Sequence, residues 1–300
     1  MSTNLSPIQQ RLTGVHTALI TPFLKGEIDW VSLKKLVRQQ IDGGVQGIVV
    51  CGTTGETPTL SSEEKTKLFE YIKSEVAGAV TLVMGTGSNS TSETIQATRH
   101  AKQLGATAAL VVVPYYNKPS QTGLIQHFTK VANEGGLPII LYNVPSRTIS
   151  KLEAESIQEL AKVPGIIAIK EATGNIELGQ MIASETSLML ASGDDESCMK
   201  LAGVGGRGVI SVISHLIPKE MTAIFGRAIT LENDSAVSEW AKRFGALNRD
   251  LYCEANPIPL KYALHKIGLI ASAELRLPLT ELDKNLRSVV DLALKAGGLL

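Results

Sequence analysis

The run "TAALVVV", Thr107–Val113, decides how the chain folds. It overlaps the longest purely apolar stretch, Ala108–Pro114, which is far shorter than the roughly 20 residues a membrane-spanning helix needs. It does not alternate polar and apolar residues, so it is not a strand with one wet face. A short unbroken apolar run of this kind reads as a parallel strand buried on both faces. Seven other runs have the same character: "VHTALI" at Val15, "QGIVV" at Gln46, "VTLVMG" at Val80, "PIILYN" at Pro138, "GIIAIK" at Gly165, "SLMLAS" at Ser187 and "RGVISV" at Arg207.

Amphipathic patterns fill the gaps. Ser61 with Glu64, Ser90 with Glu93 and Ser150 with Glu153 each have the spacing of a capping box. Gly43-Gly44, Gly105 and Gly135-Gly136 serve as stop signals before the next strand. Eight β-then-α units predict an α/β fold, a closed (β/α)8 or TIM barrel, whose typical size is about 250 residues. A doubly wound open sheet is the alternative, but its first strand leads into a glycine-rich nucleotide loop, and "TPFLKGEIDW" is no such loop. From about Leu231 the strand runs stop and three helical patterns follow: "SAVSEWAKRFGALNRDLY", "PIPLKYALHKIG" and "ELDKNLRSVVDLALKAG". The expected division is a catalytic barrel over 1–230 and a C-terminal helical extension over 231–300.

The 300 residues are 44% hydrophobic and 19% charged, with 29 basic against 29 acidic side chains. That balance leaves no nucleic-acid footprint and no polybasic membrane patch, so a small molecule or a second copy of the chain is the expected partner. Cys51, Cys198 and Cys253 are far apart and odd in number, which argues against a disulfide framework and for a reducing compartment. The opening "MSTNLSPIQQRL" has no apolar core of a signal peptide, so a cytoplasmic location is expected. The five histidines include no H-x-x-x-H pair, and neither a metal nor an organic cofactor is expected.

Barrel chemistry sits at the C-terminal ends of the strands. There the chain places Thr53 and Thr54 between glycines, Tyr115 and Tyr116, Tyr142 and Arg147, Lys170, Gly193 in "SGDD", and Ile210. Lys170 directly ends a buried apolar run, whereas most of the 19 lysines lie on helical patterns that read as solvated surface. A free lysine is neutral in roughly one copy in 2,500 at pH 7, and an imine-forming amine must be neutral to attack a carbonyl. Desolvation beside apolar neighbours favours the neutral form. The competing reading is a structural pair with Glu171, which is weakened because adjacent strand residues point to opposite faces.

"GTTGE" lets the backbone approach a ligand and can form an anion nest, or it is an ordinary turn. Tyr116 and Tyr142 could relay protons with Thr53, or each could be an amphipathic residue at the edge of the core. Arg147 could fork onto a carboxylate or lie on the surface. "GVGGRG", Gly203–Gly208, matches a dinucleotide pattern but follows a helix and precedes a strand, the reverse of the required context. There is no G-x-S-x-G, and hence no serine-hydrolase elbow.

Together "GTTGET", "PYYNKPSQ", "LYNVPSRT", "IKEATG", "SGDD" and "NPIPLKYAL" resemble the dihydrodipicolinate synthase family, across essentially the whole chain. That family belongs to the pyruvate-dependent aldolases, which also include N-acetylneuraminate lyase. The lyase branch usually has Ser-Thr in the glycine loop and lacks "NVPSRT", so Thr53-Thr54 and Arg147 favour the synthase branch over a sugar-acid aldolase. The resemblance implies condensation of pyruvate with L-aspartate 4-semialdehyde, in diaminopimelate and lysine synthesis. It implies an imine on Lys170, a proton relay of Thr53, Tyr142 and Tyr116, and Tyr116 reaching in from a neighbouring subunit. It also implies that Thr54 and the loop amides hold the pyruvate carboxylate, that Arg147 holds the second substrate, and that Gly193 and Ile210 line the pocket. The assembly implied is a homotetramer built as a dimer of tight dimers. Asn89, Glu93 and Tyr115 match the site where feedback-sensitive members bind lysine. Ser62 and Lys65 stand where those members often carry His or a His/Glu combination, so weak or absent feedback is expected.

Overall fold

The structure, a computed structural model, describes residues 5–230 and 233–300. All eight apolar runs are parallel strands: β1 Gly14–Ala18, β2 Gly47–Val50, β3 Thr81–Gly85, β4 Ala108–Val112, β5 Ile139–Asn143, β6 Ile166–Glu171, β7 Met189–Ser192 and β8 Gly208–Ser211. β1 pairs with both β2 and β8, which closes the barrel and removes every sheet edge. An open doubly wound sheet is thereby ruled out.

The absence of alternation follows from the closure. Along each strand, one parity faces the barrel axis and the other faces the helices. Val49, Leu110, Ile140, Ala168 and Ile210 belong to the inner cluster. Their neighbours Ile48, Val50, Val111, Leu141 and Ile169 belong to the outer one, which is sealed by helices. Both faces are dry, so both parities must be apolar; each fully buried Leu, Ile or Phe contributes about 1.5–3 kcal/mol. The same parity places Tyr142 and Lys170 on the axis side and Glu171 on the helix side.

The capping signals were not equally informative. Ser61 and Glu64 form the full reciprocal box at the start of the helix Ser62–Val76. Ser90 accepts from Glu93 N, but the Glu93 carboxylate accepts from Ser88 Oγ at 2.9 Å, so the return half is absent. Ser150 caps nothing: the helix Ala154–Leu160 starts later, and Glu153 N donates to Gln121 Oε1 of a neighbouring helix instead. A hairpin that the strand patterns did not suggest, Phe23–Leu24 with Glu27–Ile28, turns through Lys25 and Gly26 at φ 55° and 85°. Two positive φ values are what a type I′ turn needs.

Beyond the barrel, the helices Asn233–Asp250, Ile258–Lys266 and Arg287–Ala296 follow. Trp240, Phe244 and Leu247 join the outer cluster beside Met199 and Phe225. The boundary expected at Leu231 lies outside the described residues, as do the first four residues of the opening segment. Among the described residues no helix is long and apolar enough to cross a membrane.

Candidate active site

A cavity of about 50 Å³ opens at the C-terminal ends of the strands. Its wall includes Ala18 from β1, Gly52, Thr53 and Thr54 after β2, Val112 from β4, Tyr142 from β5, Lys170 from β6 and Ile210 from β8. It holds on the order of four water-sized groups. Lys170 is 6% exposed and Tyr142 is likewise buried. In the β5–β6 ladder Tyr142 stands opposite Lys170, and Lys170 Nζ lies 4.1 Å from the tyrosine ring centroid.

The alternative of a Lys170–Glu171 pair is excluded by geometry. Glu171 Oε2 accepts from Asn143 Nδ2 at 3.0 Å and Oε1 accepts from Thr173 N at 2.6 Å, on the opposite face of the strand. Burial pushes the Glu171 carboxyl above the usual carboxylate range. Among the described residues no carboxylate pairs with Lys170. Its amine therefore faces a mainly apolar wall, one aromatic ring and the threonine turn.

That turn is a short 3₁₀ segment, Thr53–Gly55, entered through Cys51 at φ 56°. Gly85, the last residue of β3, lets it pack: a Cβ there would lie 2.2 Å from Cys51 O. Burial pushes the Cys51 thiol up to about 12, so it stays protonated and serves as a small buried residue. Thr54 is buried, and its Oγ1 accepts from Asn256 Nδ2 at 2.8 Å. The Asn256 carbonyl in turn accepts from the Arg147 guanidinium at 3.0 Å. Asn256 thus ties the loop after β2 to the loop after β5. Periodicity could not single it out, because it lies between helices; its only signal was membership of "NPIPLKYAL".

The other expected residues are placed more loosely. Arg147 and Gly193 stand outside the cavity wall. Gly193 N donates to Glu171 O at 2.7 Å, which brings the β6 and β7 ends together. Two residues on from it, Asp195 Oδ2 accepts from Val212 N and Ile213 N and so fixes the turn after β8. Tyr116 is 87% exposed, with φ 73°, and does not reach the cavity within its own chain.

A second cavity, of about 750 Å³, brings together Ser62, Lys65, Glu93 and Tyr115. Asn89 is not in its wall; its carbonyl accepts from Asn117 Nδ2 at 2.9 Å, across 28 positions of the chain. Thr57, Gly85 and Gly87 line both cavities, so the two share a wall. Among the described residues no group of three His, Cys, Asp or Glu side chains is arranged to hold a metal ion. One expectation about the lysines fails: Lys261, on a helical pattern, is not solvated but wholly buried.

The fold and this cavity define a (β/α)8 barrel with a buried lysine at its catalytic mouth. The model of the dihydrodipicolinate synthetase family matches residues 11–297. The 4-hydroxy-tetrahydrodipicolinate synthase of Bdellovibrio bacteriovorus is 50% identical over 289 residues, 96% of this chain and 98% of that protein. The crystal structure of the chloride-inhibited dihydrodipicolinate synthase from Acinetobacter baumannii complexed with pyruvate superposes with a TM-score of 0.93 at 42% identity, covering 96% of this chain and all of that one. The enzyme from Cyanidioschyzon merolae with lysine bound gives 0.92 at 40% identity, over 97% and 99%. The chain belongs to the dihydrodipicolinate synthetase family.

Proposed function

We infer that this chain carries 4-hydroxy-tetrahydrodipicolinate synthase activity, condensing pyruvate with L-aspartate 4-semialdehyde. The observation that carries this reading is Lys170, buried, without a carboxylate partner and set against Tyr142 in a cavity of about 50 Å³ at the barrel mouth. The relatives' shared name, at up to 50% identity over nearly the whole chain, favours condensation over a sugar-acid lyase.

In this reading the Lys170 amine attacks the pyruvate keto carbon and water leaves as the imine forms. The imine draws electrons from the methyl carbon, which gives up a proton through Tyr142, Thr53 and Tyr116. The resulting enamine attacks the aldehyde, and the semialdehyde's own amine displaces Lys170 to close the ring. Thr54 and the turn amides hold the pyruvate carboxylate, while Arg147 forks onto the carboxylate of the second substrate. Gly193 and Ile210 shape the pocket through their backbone. No cofactor takes part in these steps.

The exposure of Tyr116 supports its use by a neighbouring copy, and with it the homotetramer of two tight dimers. The helices that follow from Asn233 onward act as a C-terminal unit that supports the barrel mouth. Three free cysteines support a cytoplasmic location. Lysine feedback at Asn89, Glu93, Tyr115, Ser62 and Lys65 is weak or absent, because Lys65 adds a cation to a cavity that would receive an ammonium.

Borohydride reduction in the presence of pyruvate tests the imine. A pyruvyl adduct on the peptide containing Lys170 is expected, and its absence overturns the mechanism. Turnover that requires the semialdehyde beside pyruvate separates the synthase from a sugar-acid aldolase.

A further inference from the structure

The motif "NPIPLKYAL" carries a lysine that the mechanism does not use. Lys261 is fully buried, and so is its partner Glu56. Lys261 Nζ lies 2.5 Å from Glu56 Oε1 as a buried ion pair and donates to Glu274 O at 2.9 Å. Glu56 follows the threonine turn directly, at φ 54° and ψ 38°, a left-handed conformation that a non-glycine residue adopts only at a cost. Its other oxygen, Oε2, accepts from Arg276 N at 3.1 Å. The Lys261 ammonium lies 4.2 Å, and the Arg276 guanidinium 4.5 Å, from the centroid of the Phe23 ring.

A wholly buried ion pair is a poor stabilising device. Desolvating both charges offsets much of their attraction, and well-packed apolar replacements are often as stable or more so. Burial, helped by the nearby Arg276 charge, outweighs the pull of Glu56 and draws the Lys261 ammonium down to about 8. What the pair does supply is direction. It holds one backbone residue in a fixed left-handed turn, two positions beyond Thr54 and three beyond Thr53. On the same side, Asn256 bonds to the Thr54 hydroxyl. Three contacts from one C-terminal segment therefore converge on the five-residue turn Gly52–Glu56.

We propose that Lys261, acting through Glu56, is a positioning residue that presents the Thr53–Thr54 turn to the pyruvate carboxylate. The inference rests on the imine reading above. It predicts that the pair governs pyruvate recognition more than fold stability.

Three variants test it: Lys261→Met, the apolar double variant Glu56→Leu with Lys261→Met, and Glu56→Gln, which keeps the shape and removes the charge. Each is compared with the native protein by thermal melting and by the pyruvate concentration that half-saturates borohydride trapping. We expect the double variant to melt close to the native protein, while half-saturation rises tenfold or more in all three. Half-saturation within twofold of native in a folded double variant, or in Glu56→Gln, overturns the positioning role. No adduct in the native protein overturns the imine reading itself, so the two failures are distinct.

Discussion

Tyr142 and Lys170 occupy the same register position on neighbouring strands, with the lysine Nζ 4.1 Å from the centre of the tyrosine ring. The pairing follows from closure of the barrel: β5 and β6 are adjacent, and both side chains have the parity that faces the axis. It brings an amine and a phenol together without any loop having to be ordered first.

Replacing either member therefore separates chemistry from folding. Among the described residues Lys170→Ala removes the only lysine in the cavity wall, and it should abolish borohydride trapping, with turnover reduced by about 10⁴-fold or more. Tyr142→Phe keeps the ring and should cost about 10²–10⁴-fold in kcat. Steady-state rates together with mass analysis of the trapped peptide check both; a Lys170→Ala protein that still forms the adduct excludes Lys170 as the nucleophile.

Tyr116 is exposed and lies outside the wall of its own chain's cavity. Tyr116→Phe should lower kcat by about 10²-fold, the low end for one proton-transfer group, while leaving the melting temperature unchanged. If the residue works across a subunit boundary, dilution that dissociates the assembly should produce the same loss in the unmodified protein. Unchanged turnover in the variant removes Tyr116 from the relay.

Arg147 donates to the Asn256 carbonyl, which leaves the other guanidinium N–H groups for a substrate carboxylate. Losing a charge-assisted contact of about 1.5–3 kcal/mol predicts a rise of roughly 10- to 150-fold in KM for the semialdehyde in Arg147→Ala. Pyruvate trapping should be little affected. Equal losses for both substrates would place Arg147 in general support of the mouth.

Free lysine tests the second cavity. With Lys65 in its wall, lysine at sub-millimolar concentration should leave the steady-state rate unchanged. Inhibition in that range would show that the Lys65 cation is no barrier.

Stability should fall as pH drops below neutral. Desolvation lowers His16 and His215 to about 4, so both rings are neutral in the fold. His215 uses that neutrality: Nδ1–H donates to Val212 O and Nε2 accepts from Ile20 N. The unfolded chain takes up these protons first, near pH 6.5, so stability is full above that pH and declines down to about 4. The loss per ring is about 2 kcal/mol between pH 7 and 5. The buried carboxyls of Glu171 and Asp195, raised by desolvation, act in the opposite direction. Denaturant midpoints at the two pH values check this: His215→Gln should be less stable at pH 7 and lose about 2 kcal/mol less on acidification.

Much of this was legible from residues alone. Eight apolar runs without alternation predicted strands dry on both faces, and the parity of "GIIAIKEATG" set Lys170 apart from Glu171. Local signals of this kind survive because they depend on neighbours two to four residues away. The same locality explains the failures. Ser150 had the spacing of a cap, yet Gln121 satisfies the donor concerned from another helix. Lys261 lay on an ordinary helical pattern, and nothing within a few residues of it marks a buried cation.

The sequence by itself determined the eight strands, dry on both faces, and the lysine that ends one of them, since periodicity and strand parity are properties of the local chain. Only the tertiary structure decided which distant groups meet. It set Asn256 on Thr54 across 202 positions, buried Lys261 against Glu56, and left Tyr116 exposed. Such contacts form where closure of the barrel brings remote loops together, and desolvation then determines which charges must be paired.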